Sequence, residues 1–138
     1  PDYSGNIVKP AYEAFREGAS EAGFVLENPL LARPASGNII DHLKVEIRRA
    51  KFLVADLTGG NQGVYWEAGF AEGLGRKVIY TCEKSHFGNI HFDTKQMQTI
   101  PWRLDELQES AGLLRDILRN TFPVEARMSR DEPRQKGP

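Results

Sequence analysis

Two short apolar runs, Lys51-Phe-Leu-Val-Ala-Asp56 and Lys77-Val-Ile-Tyr-Thr-Cys82, limit what this chain can fold into more than any other feature. Each is continuous rather than alternating, the pattern of a strand buried on both faces of a parallel sheet. Between them the chain breaks at Gly59 and Gly60, then takes up helical spacing from about Gly63 to Leu74, where Gly75 ends it. A helix is thus expected between two buried strands. The rest of the chain fits the same plan. Ile7, Val8, Ala11, Phe15, Ala19 and Ala22 predict a helix, regular from about Lys9 because Pro10 is tolerated only in a first turn, and stopped by Gly23. Phe24 to Leu31 reads as a strand weakened by Asn28-Pro29. Asn38 can cap a second helix with Ile39, Ile40, Leu43 and Ile47 inward. Ile100-Pro-Trp102 reads as a short edge strand. A last helix is expected from about Leu104 to Asn120, with Leu104, Leu107, Ala111, Leu114 and Leu118 inward.

Alternating strands and helices predict an α/β fold with a doubly wound parallel sheet, flavodoxin- or Rossmann-like in three layers. Such folds open on a central strand, whereas this chain opens on a helix, so a first strand is expected upstream of it. Residues 1–124 are read as one domain and the polar, proline-bearing stretch 125–138 as a tail. With 138 residues, 40% hydrophobic and 27% charged, there is enough apolar material for one core. The formal net charge of -1 supplies no global field to recruit polymeric nucleic acid or an anionic membrane. No apolar run approaches the roughly 20 residues of a membrane helix. A lone cysteine, Cys82, allows no internal disulfide and fits a reducing cytoplasm.

Ligands of open α/β sheets bind at the carboxyl ends of strands, where Asp56 sits. The following Leu57-Thr-Gly-Gly-Asn-Gln-Gly63 turn feeds a helix N-terminus, whose free N–H groups and positive dipole end suit an anion such as phosphate. The run is neither a Walker motif nor a dinucleotide fingerprint. Glu67 shares a helical stripe with Val64, Ala71 and Leu74, so it should point inward. A carboxylate there is either a brace for a neighbouring loop or a functional group, and the residues alone weigh the two equally.

The segment from Ala50 to Ile79, and above all Val64-Tyr-Trp-Glu-Ala-Gly69 followed by Gly75-Arg-Lys-Val-Ile79, resembles the nucleoside 2-deoxyribosyltransferase superfamily, which includes nucleotide N-glycosidases and is structurally akin to TIR domains. Asn38-Ile39 and His91-Phe-Asp-Thr94 resemble segments of its TIR-like members, and the likeness spans roughly Ile7 to Trp102. The resemblance implies an enzyme that hydrolyses or transfers an N-glycosidic bond in a nucleoside, nucleotide or NAD-like substrate. Glu67 would be the nucleophile at the anomeric carbon, and Asp56 would bind sugar hydroxyls or assist the departing base. Asn61 and the Gly63 N–H would hold a phosphate, with Gly59 and Gly60 in the same turn. Apart from the resemblance, one of Tyr65 and Trp66 can stack on a base or, as most aromatics at such positions do, sit in the core, and Asp93 can reach the pocket from the next strand-end loop or form an Asx-turn in an exposed one. Lys51 departs from the pattern, standing where many members carry an acidic residue. The resemblance also implies a homo-oligomer, and no cofactor is expected; the alternative is a non-catalytic, TIR-like nucleotide sensor or self-associating module.

Other polar residues read more plainly. His42, His86 and His91 lack ligand-like spacing and are taken as surface residues, with no metal expected. Arg48-Arg49 reads as a solvated helix end, Glu72 and Arg76 as a solvated pair four residues apart, and Cys82 as packing without a base beside it.

Overall fold

The protein is seen in a computed structural model that describes residues 9–27, 39–59, 62–89 and 99–126, and its internal contacts divide it into two compact units. The first holds α2 (Ile39–Arg49), β1 (Phe52–Asp56), α3 (Gln62–Gly73), β2 (Lys77–Glu83), a 3-10 turn (Lys84–Asn89) and β3 (Thr99–Trp102) as far as Pro101. The second holds α1 (Lys9–Glu21), the stretch after it, Trp102 and α4 (Leu107–Thr121).

The fold is α/β and flavodoxin- or Rossmann-like. The strands stand in the order β1-β2-β3, and β1 runs parallel to β2, with Phe52 opposite Lys77 and Asp56 opposite Thr81. A parallel pair needs a crossover, and α3 supplies it. Side chains alternate across a strand. Ala55 and Leu57 from the β1 segment and Val78, Tyr80 and Cys82 from β2 therefore share one face, where they join Ile47 of α2 and Val64, Ala68 and Ala71 of α3 in one buried cluster. Val54, Asp56, Ile79 and Thr81 project from the other face. β3 stands at the end of the strand order, the position where Pro101, with no N–H to donate, is tolerated.

α3 ends as its glycine predicts. Gly75 has a φ of 79°, and the bonds Gly75 N–H to Glu72 O (2.9 Å) and Arg76 N–H to Ala71 O (2.9 Å) close a Schellman cap. α1 ends on the same pattern, through Gly23 N–H to Ser20 O and Phe24 N–H to Ala19 O, both 2.9 Å. In the second unit α1 and α4 approach so closely that a Cβ on Gly18 would overlap the Ala111 carbonyl. Arg115 reaches Glu21 at 3.2 Å, and Arg119 donates to the Glu21 carbonyl, also at 3.2 Å, capping the acceptor end of α1.

Three expectations are corrected. Phe24–Glu27 is not a strand, and residues 28–31 lie outside the described set. The Phe24 ring is taken up by Phe122 at 5.7 Å while Val25 is exposed. The last helix begins at Leu107, because a turn closed by Glu106 N–H to Arg103 O precedes it and leaves Leu104 exposed; Ser110 is buried with Leu114 and Leu118. Glu72 and Arg76 are not each other's partners. Glu72 accepts from the Tyr80 hydroxyl at 2.8 Å, and Arg76 donates to the Arg48 carbonyl at 2.6 Å.

Candidate functional site

β1 ends on Asp56, which is 6% exposed. Burying a carboxylate is costly unless donors replace its water, and two do so here. Thr81, its register partner on β2, donates its hydroxyl to Oδ2 at 2.7 Å. The Thr58 N–H donates to Oδ1 at 2.9 Å, which bends the chain out of the strand into the glycine turn. The Thr58 hydroxyl in turn accepts the Glu83 N–H at 2.9 Å, and Leu57 N–H bonds to the Thr81 carbonyl at 2.8 Å. The exits of β1 and β2 are thus tied by three bonds between the two segments. Gly59 has a φ of 87°, a conformation that L side chains rarely adopt, and a Cβ there would meet nothing within 4 Å. Gly60 and Asn61 lie outside the described residues, and so does Asp93. Gly63 is exposed in the first turn of α3.

Glu67 is where its stripe puts it. It is 8% exposed, with Val64, Ala68 and Ala71 buried on the same side of α3. Asp56 projects from the sheet face opposite the one on which α3 packs. The expectation that Asp56 and Glu67 share one face is not met: the sheet stands between the side of β1 that carries Asp56 and the helix that carries Glu67. Tyr65 is half-buried against the core cluster, whereas Trp66 is 40% exposed and stacks on Phe70 with centroids 5.6 Å apart. The Arg48 guanidinium lies over the same Phe70 ring at 5.7 Å.

Other groups were invisible in the sequence as a site. Thr58 and Thr81 could have been found only by knowing the strand register. At the exit of β2, Glu83 Oε1 accepts from the Ser85 N–H at 2.8 Å, from the Ser85 hydroxyl and from His86 Nδ1 at 3.1 Å. These contacts, led by Ser85, hold the Glu83 carboxyl below its ordinary range. Cys82 is fully buried, and burial pushes its thiol up to about 11, as suits a packing residue. An open groove of ≈ 660 Å³ lies elsewhere, along α1 and Phe24–Leu26, and is lined by Glu13, Arg16 and Glu17 among others. Among the described residues no group of three His, Cys, Asp or Glu is placed to hold a metal ion. No described helix is long and apolar enough to cross a membrane. No protein-family model matches the chain, and no curated protein and no solved structure matches it.

Proposed function

We propose that the protein cleaves or transfers an N-glycosidic bond in a nucleoside, nucleotide or NAD-like molecule, with Glu67 as the nucleophile. The observation that carries this reading is a carboxylate buried to 8% exposure on the inward stripe of the helix that follows a glycine turn at a strand's carboxyl end. A carboxylate in that position can trap or stabilise the oxocarbenium-like sugar. The resemblance stated above supplies the substrate class. Asp56, oriented by Thr81 and Thr58, would bind the sugar hydroxyls. The helix start beyond Gly59, with Asn61 and Gly63, would take the phosphate, Tyr65 the base, and Asp93 a further polar contact.

A second reading is a self-associating, nucleotide-sensing module. It is favoured by the exposed Trp66–Phe70 stack with Arg48 over it, an aromatic surface on the helix that carries Glu67. Both readings include a homo-oligomer. Incubation with NAD, deoxynucleoside monophosphates and deoxynucleosides, followed by chromatography for free base, separates them. The catalytic reading expects release from at least one substrate and a fall of several orders of magnitude in Glu67→Ala. Binding without release from any of them would leave the sensor reading.

A further inference from the structure

A helix that packs one face into a core normally turns charge to solvent on the other. α3 does not. Of its two charged residues, Glu67 is buried and Glu72 accepts from the Tyr80 hydroxyl. The outer side of the helix consists of Gly63, Trp66, Gly69, Phe70 and Gly73, with Trp66 and the glycines exposed and no charge among them. Trp66 stacks on Phe70 and still leaves much of its ring in water. A Cβ on Gly69 or on Gly73 would meet nothing within 4 Å, so nothing in a single copy calls for glycine there, where it weakens the helix. Beside this stripe α2 exposes Asp41, Val45 and Arg48, which share one side of that helix and run from acid through apolar to base. The Arg48 guanidinium, 5.7 Å above the Phe70 ring, joins the two stripes into one surface.

We propose that this α2–α3 surface docks on the same surface of a second copy of the chain, about a two-fold axis that lies across the helices. The inference rests on the self-association common to both readings above and names the surface that performs it. A two-fold interface must be complementary to itself, and this one is so in shape and in charge. With the axis crossing α3 between Gly69 and Phe70, the two α3 helices run antiparallel. Trp66 of one copy then falls opposite Gly73 of the other, and Phe70 opposite Gly69, so each ring meets a place without a side chain. The same axis turns α2 end for end against its copy, which brings Asp41 of one towards Arg48 of the other, with Val45 between the two charges. The centre is aromatic and the rim is charged, as in protein interfaces at large, and Trp and Arg are the residues that most often anchor them. Because α3 also carries Glu67, association braces from outside the helix on which that carboxylate sits.

The test is the mass of the full chain in solution, measured by sedimentation over micromolar concentrations, with circular dichroism to confirm that each variant is folded. The wild type is expected as a dimer. Gly69→Gln suits a single copy, since its side chain enters open space on a helix, but it fills the place that Phe70 of the second copy would take. The dissociation constant is expected to rise about tenfold or more, and to do so as well in Trp66→Gln, which alters only an exposed ring. Asp41→Arg and Arg48→Asp should each weaken association about tenfold, and the double variant, which restores opposite charges across the axis, should return to within about threefold of the wild type. A dimer that tolerates Gly69→Gln and Trp66→Gln, or a charge exchange that fails to rescue, overturns this surface and leaves self-association standing. A wild-type protein that stays monomeric overturns the surface together with the self-association of both readings, and base release then judges the glycosidase reading separately.

Discussion

The most informative single residue is Thr81. It sits inside an apolar run and reads there as one more β-branched strand residue, yet it is fully buried with its hydroxyl donated to Asp56. Thr81→Val keeps the shape and removes the donor, so a buried carboxylate oxygen loses a charge-assisted partner. The expected cost is about 1.5–3 kcal/mol, read as a lower midpoint in urea with an unchanged slope. A variant as stable as the wild type would show that the carboxylate recovers its hydrogen bonding elsewhere. Asp56 was legible as a strand-end acid because the run stops there. Its partner was not, because strand register is a relation between two segments and neither segment contains it. His86 was passed over for a similar reason. Isolated histidines suggest nothing by spacing, and only the tight turn after β2 folds this one back onto Glu83.

At the scale of elements, hydrophobic period did most of the work. β1, α3 and β2 are legible because each puts several apolar side chains into one cluster, and a residue out of step would be buried at a cost. The α1 stop at Gly23 and the α3 stop at Gly75 are legible because a left-handed residue closes each cap. The start of α4 was misplaced by three residues, since Leu104 fits the helical period as well as Leu107 does and only the turn at Arg103–Glu106 decides between them. Gly18 was not legible at all. Within α1 it reads as a weak helix residue, and the reason for it, the Ala111 carbonyl, is 93 positions away on α4. Gly18→Ala should improve helix propensity by about 1 kcal/mol and still destabilise the protein by about 1–3 kcal/mol through overpacking. Thermal unfolding of this variant beside Gly112→Ala, whose new Cβ would meet nothing closer than 3.5 Å, checks the sign.

For the whole molecule, near-neutrality is the governing fact: 18 basic against 19 acidic residues leave stability to local arrangements rather than to net repulsion. Acid sensitivity then has an identifiable local source. The Glu83 carboxyl is held below its ordinary value of 4.5 by Ser85 and His86, so the folded state favours its ionised form. Its contribution is fully present above pH 4.5 and is lost as pH falls through the lowered folded value. Unfolding midpoints measured from pH 7 downward should begin to decline below pH 4.5, and Glu83→Gln should flatten the decline. An identical acid limb in the variant would place its source elsewhere. The Thr58 hydroxyl has a further consequence for motion. Because it accepts the Glu83 amide, the turn after β1 and the turn after β2 act as a single jaw. A guest that levers one turn outward must drag the other with it, so entry at Gly59 would be felt by the His86 ring without any contact between them.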